Sequence, residues 1–375
     1  MIPHSRPARR EAIAGSPAAR VEARAERWGL AALVGGLLIT VILMSGTRVA
    51  LAGADSLGNL AAWTAAAFAG VAFAASFIVE SWRGHADWRR RLPFVKRAVD
   101  LVAMSLAMAM LAYLVVLAVA NLFQLGFRGL TVDALGGGAL AGAAAAAATY
   151  ASALSGARVT TDGLATLATL VLFIGTMASM LSSPDESWWQ LHFSQLGNLA
   201  DGAAYRFNLA LILTGLVVTV LANYVGHDLE QGLVARGVDP RWRVRLLAWL
   251  FAGIGICMTV AGIVPDAVSV PLHVTAATGM VVVFGVFVFC AVRVLPGLPA
   301  EVAGFSLFVV IGILVAVALW VPIGYFNLTG TEFIAAGLLF AWLLVFVRAI
   351  SAYSHGDPNL DAPVPARPID ESSAG

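Results

Sequence analysis

Apolar residues fill this chain in blocks of about twenty, a bilayer-spanning length, and the short stretches between the blocks hold most of its charge. Ten segments reach the length of mostly apolar residues that a helix needs to cross a bilayer core. They are 28–50, 59–80, 98–122, 136–157, 162–182, 206–225, 246–264, 271–293, 302–325 and 332–350. The pattern therefore predicts an all-α polytopic helical membrane bundle of about ten transmembrane helices. The fourth segment is the least hydrophobic, being mostly alanine and glycine. Its Gly138, Gly142 and Ala146 recur every four residues, a small-residue stripe that lets helix backbones approach closely. That segment is expected among other helices rather than against lipid.

Basic residues supply an independent count. Numbered from a cytoplasmic amino terminus, ten spans place every arginine and the single lysine on the inner side except Arg48, Arg128 and Arg206. This is the positive-inside pattern, and it puts both termini in the cytoplasm. Removing one internal span would move a basic cluster to the wrong side. Ala50-Leu51-Ala52 is reminiscent of a signal-peptide cleavage site, but the preceding apolar stretch exceeds the 7–15 residues of such a peptide, so an uncleaved first span is expected. Residues 1–27 and 351–375 are polar and rich in alanine or proline, and are expected to be disordered cytoplasmic arms. Between them lie a four-helix part, 28–158, and a six-helix part, 162–350.

Composition sharpens the picture. Charged residues make up 12% of the chain and hydrophobic ones 60%, with a mean hydropathy of +0.86. Soluble domains average about 25% charged residues, so the apolar excess must face lipid. The abundance of arginine and alanine suggests a high-GC bacterial genome and hence the inner membrane of a bacterium. The net charge of +1 carries little information. The run Trp88-Arg89-Arg90-Arg91 beside a span reads as a topology signal that meets anionic lipid headgroups, and not as a nucleic-acid patch. Membrane lipids are thus the expected partners, with no nucleic acid. Cys257 and Cys290 both fall in apolar segments, at different depths, and are read as an unbridged pair. Full charges are nearly absent inside the segments, which argues against a proton-driven antiporter. Without a phosphate-binding glycine loop, a dinucleotide turn or a haem-attachment motif, no cofactor is expected.

The chemistry-bearing residues gather in one loop. From Ser183 to Tyr205 the chain crowds Asp185, Glu186, His192, Ser194, Gln195, Asn198 and Asp201 at one boundary, followed by Arg206 and Asn208. Trp188 and Trp189 suit an interfacial aromatic belt. Asp266 and His273 fall on the same side. Three readings compete. His192, His273, Asp201 and Asp266 could hold a metal, but no metal-ligand spacing supports it, and no metal is expected. Ser194 could act as nucleophile with His192 or His273 as base and Asp201 as orienter, although no GxSxG surrounds the serine. The third reading has these groups capping helices and tying loops together.

The stretch WWQLHFSQLGNLADGAAYRFN, followed by a basic loop, Pro265 and then HVTAATG, resembles a bacterial family of uncharacterised multi-pass membrane proteins catalogued as domain of unknown function 998. The resemblance covers about residues 162–350 and leaves the first four helices outside. The matching positions are Ser194, Leu196, Gly197, Phe207, Asn208 and His273. It implies that Ser194, Asn208 and His273 converge at the outer ends of the sixth and eighth segments. No reaction follows from it. The expected function is accordingly that of a membrane protein, leaning towards a non-enzyme, that binds or moves a lipid-like or neutral molecule at the outer leaflet, with Asn208, His273, Ser194, Arg206 and Asp266 as candidate ligand contacts. An interfacial hydrolase and a structural, partner-binding subunit are the alternatives.

Overall fold

The computed structural model describes residues 16–53, 55–82, 87–198 and 202–355. Its helices are α1 (Pro17–Leu43), α2 (Leu57–Trp82), the single turn α3 (Asp87–Arg90), α4 (Phe94–Gly126), α5 (Ala134–Ala157), α6 (Thr161–Leu181), α7 (Gly202–Ala235), α8 (Arg241–Ile263), α9 (Asp266–Val294), α10 (Ala300–Trp320) and α11 (Leu328–His355). All but α3 are long and apolar enough to cross a membrane, ten among the described residues. Each matches one of the expected segments. The protein is a multi-pass helical membrane protein. Among the described residues, strand is confined to β1 (Val49–Ala50) and β2 (Thr131–Val132), paired antiparallel across two loops.

Alternating helices sort the loops onto two faces. On one face, Arg89 donates to the Val159 carbonyl at 2.9 Å, while Arg236 donates to the Tyr353 carbonyl at 3.0 Å and lies over its ring. On the other, Gln124 accepts from Leu51 and Ala52, and Asn327 donates to the carbonyl of Trp189. We call these the basic face and the loop face. Arg89 does more than mark topology. Its guanidinium stands over Phe77 and Tyr224, tying α3 to α2 and α7.

The ends of the chain correct one expectation. Helix α1 begins at Pro17, inside the stretch 1–27 read as a disordered arm. Ser16 caps it by accepting from the Ala19 N–H, and proline suits the first helical position because its missing N–H is not needed there. Arg24 pairs with Glu80 of α2 at 2.8 Å, and Tyr150 of α5 donates to Glu22. These links reward helix where composition alone indicated none. At the other end α11 continues to His355, and the remainder of the expected tail, like residues 1–15, lies outside the described residues.

Two members of the small-residue stripe behave as expected. Helix α5 packs against α1 and α2 with Gly138 and Gly142 buried, while Ala146 is half-buried and its neighbour Ala145 takes the buried position. A Cβ at Gly142 would stand 2.6 Å from the Leu33 carbonyl oxygen, so only glycine permits this backbone approach. Helix α4 contacts both parts of the bundle: it packs on α2, and its Met104, Met110 and Leu114 join the core built with α6 and α7. Lipid gives no hydrophobic drive for helices to associate, so packing and interhelical hydrogen bonds hold the bundle. Phe251, Phe284, Phe287, Trp342 and Phe346 stack at the centre of the carboxy-terminal part, with Trp342 and Phe346 ring centroids 4.6 Å apart. The Trp342 indole donates to Ser306 Oγ at 2.9 Å in this buried setting. Ser306→Ala leaves that N–H unpaired and is expected to cost about 1 kcal/mol, read as a lowered unfolding temperature in detergent. An unchanged temperature would remove the bond from the list of what holds α10 to α11.

Two acids near span ends qualify the near-absence of charge in the segments. Asp100 of α4 is buried at 6% exposure, beside Asn223, which in turn accepts from Lys96 at 3.3 Å. Glu332, near the start of α11, reaches inward to the site described next. Both lie near helix ends, where hydropathy averaged over a whole span hides a single acid.

Candidate functional site

The loop between α6 and α7 folds on its own aromatic residues. Two short 3-10 turns, Trp188–Gln190 and Phe193–Gly197, place Trp188 against Phe193, whose ring in turn packs on Phe207 of α7. Trp188 is buried and Trp189 is half exposed. Only the second is free to serve as an interfacial anchor, because the first forms the core of the loop. Asp185 accepts from both the N–H and the hydroxyl of Ser187, and these bonds hold its carboxyl below the ordinary carboxylate range. It closes a turn at the loop's start.

Side chains of α7 and α11 clamp the second 3-10 turn, and Asn198 just after it ties it to α9. Asn208 of α7 donates to the Gly197 carbonyl at 2.9 Å. A Cβ at Gly197 would fall 2.3 Å from Asn208 Oδ1, so the clamp requires glycine here. Asn198 Oδ1 accepts from the Ala267 N–H at 3.0 Å at the start of α9. Glu332 of α11 accepts from the Phe193 N–H. Arg206 donates to Ser182 Oγ at the end of α6. Asn208 and Arg206 are thus engaged in holding the loop, and neither lines the cavity described below.

What the clamp presents is Ser194. Its hydroxyl lies 2.9 Å from Nε2 of His273. His273 is 5% exposed and sits about two turns into α9, one turn past the irregular Ser269 and just beyond Pro271. Helix α8 ends at Ile263, so its last carbonyls have no intrahelical donor. Nδ1 of His273 meets two of the neighbouring oxygens, Ala261 O at 3.0 Å and Val264 O at 2.9 Å. Carbonyls only accept, so Nδ1 must carry the hydrogen. A neutral ring then leaves the lone pair on Nε2 to accept from Ser194. Asp266 stands beside the pair, with Oδ1 3.5 Å from His273 Nε2 and Oδ2 3.3 Å from His192 Nδ1. Asp266 Oδ1 is buried and makes no hydrogen bond.

Below this polar cluster lies a cavity of about 470 Å³ between α6, α7, α8, α9 and α11. Ser194, His273 and Glu332 form one end. The rest is apolar, with Leu172, Met180, Met258, Met280, Phe340 and Leu344 among its walls. Thr169 and Thr176 also line it, but both hydroxyls are spent on carbonyls of their own helix. Phe173 and Phe333 line the cavity and are also exposed, so it reaches the lipid-facing surface between α6 and α11. Its size lies within the range of about 300–1,000 Å³ typical of ligand sites.

Of the candidate residues, the fold brings Ser194, His192, His273 and Asp266 together, while Asp201 lies outside the described residues. Ser194 and His273 do converge, and Asn208 supports them through Gly197. Glu332 escaped the sequence reading. The available signal was a lone acid at the head of an otherwise apolar helix, which is expensive unless it is used. Among the described residues, no group of three or more His, Cys, Asp or Glu side chains is set to hold a metal ion. No family model, curated protein or solved structure matches the chain.

Proposed function

We propose that this protein takes the hydrocarbon chain of a lipid-like or neutral amphiphile into the cavity below Ser194, with the polar end of the molecule meeting Ser194, His273 and Glu332. The observation that carries this reading is the cavity itself, apolar along its walls, polar at one end and open towards lipid. A water-filled ion path would need polar or charged groups along its length, and these walls offer none with a free hydroxyl. Methionines in the wall suit a flexible chain, since the unbranched thioether adapts to irregular shapes. Native mass spectrometry of the protein released from nanodiscs tests the reading. A bound amphiphile is expected, and a mass equal to the bare chain would sink the proposal.

The distribution of arginine further supports an orientation in which the basic face meets the cytoplasm and the loop face meets the outer side of a bacterial inner membrane. Leu191, 59% exposed in the loop, reports on it. With Cys257 and Cys290 replaced by alanine, Leu191→Cys is expected to react with a membrane-impermeant maleimide added to intact spheroplasts. Reaction only after the cells are broken would reverse the orientation and place the cavity's polar end in the inner leaflet.

A further inference from the structure

We propose that Ser194 and His273 are a nucleophile and base that hydrolyse an acyl ester whose acyl chain lies in the cavity. The placement of that chain rests on the function proposed above; the chemistry rests on the pair's own geometry. A serine hydroxyl is a weak nucleophile until a neighbouring base accepts its proton. In the neutral ring the two carbonyls hold the hydrogen on Nδ1, which puts the Nε2 lone pair opposite Ser194 Oγ at 2.9 Å. In a Ser-His-Asp triad the carboxylate sits at Nδ1 and orients the ring. In this protein backbone carbonyls orient the ring. The acid, Asp266, stands instead 3.5 Å from Nε2, where its otherwise unpaired Oδ1 stabilises the imidazolium that forms when the serine proton arrives. Nδ1 of His192 lies 3.3 Å from the other oxygen of that carboxylate.

The reaction balances without any group beyond water. Ser194 Oγ attacks the ester carbonyl carbon as its proton passes to His273 Nε2. The tetrahedral adduct collapses with cleavage of the bond to the alcohol oxygen, and His273 returns the proton to that oxygen. Water then attacks the acyl-serine carbonyl and gives a proton to Nε2. Collapse of this second adduct breaks the bond to Oγ, which takes the proton back, so one ester and one water yield one carboxylic acid and one alcohol. Because Ser194 and the apolar walls line a single cavity, the acyl chain can extend among the methionines with its carbonyl at the hydroxyl. This geometry predicts preference for long acyl chains over short ones.

The full chain in nanodiscs, treated with a long-chain alkyl fluorophosphonate and assayed with long- and short-chain p-nitrophenyl esters, tests the proposal. The probe is expected on the peptide containing Ser194. Labelling and long-chain ester turnover should fall at least about 100-fold in Ser194→Ala and in His273→Asn, while Ser194→Ala still elutes as folded, monodisperse protein. His273 also ties α9 to α8, so Asp266→Asn serves as a second variant. It is expected to slow turnover about tenfold or more while leaving Ser194 open to the probe. An unlabelled Ser194 in folded protein, with turnover no greater than that of Ser194→Ala, overturns the hydrolase. If bound amphiphile is found in that same sample, the binding function stands and only the chemistry falls. If Gly337→Leu leaves long-chain labelling unchanged, the acyl chain does not use the cavity, and the proposed substrate geometry fails.

Discussion

Filling the cavity from its own walls is expected to empty it of amphiphile while leaving the bundle folded. Gly337 of α11 and Ala277 of α9 both line it. Nothing stands within 4 Å of where a Cβ would sit on Gly337, so Gly337→Leu meets no backbone. Replacing glycine within a helix removes a propensity penalty of up to about 1 kcal/mol, so this variant should unfold no earlier than wild type. Ala277→Phe places a ring between α9 and α11 from the opposite wall. Each variant is expected to lower the amphiphile carried through purification about tenfold, and the pair together to abolish it. Full occupancy in the double variant, judged by native mass spectrometry, would show that the ligand binds elsewhere.

The same glycine-to-leucine change made in α5 should have the opposite effect. At Gly142 the first added atom already lies 2.6 Å from the carbonyl oxygen of Leu33 and 3.2 Å from the amide nitrogen of Leu37. Both are backbone atoms of α1 and cannot rotate away, so the two helices must separate. Overpacking a close-packed core costs about 1–3 kcal/mol and sometimes more. The upper end is expected here, because α5 is wedged between α1 and α2. Gly142→Leu should therefore show little folded protein in detergent, monitored by a fluorescent carboxy-terminal fusion and size-exclusion chromatography. A monodisperse peak at wild-type yield would mean that α1 and α5 do not need their close contact.

Much of the architecture was legible before any coordinates. The ten spans, the small-residue face of the alanine-rich fifth helix and the sorting of basic residues onto one face all agree with the folded chain, although the other face of that helix, with Leu135 and Leu140, is exposed. These features are local. Each follows from the transfer free energy of about twenty consecutive residues or from the charge beside them. The candidate site was legible only in part. Ser194, His192, His273 and Asp266 were singled out as polar groups crowded at one boundary, but nothing in their spacing chose between the two histidines as partner of the serine. The roles of Asn208 and Arg206 could not be read either, because a hydrogen bond to Gly197 O and one to Ser182 Oγ depend on how α7 meets the loop. Trp188 went from expected belt residue to loop core for the same reason.

Hydropathy and charge along the chain determined by themselves that this protein lives in a bilayer, how many times it crosses, and which loops share a side. Only the tertiary structure decided that Ser194 meets His273 across 79 residues and that Glu332 reaches Phe193 across 139. The physical difference is one of range. Partition into lipid is settled residue by residue, whereas a pair of polar groups becomes a site only when separate helices pack closely enough to leave water out and put a lone pair opposite a hydroxyl.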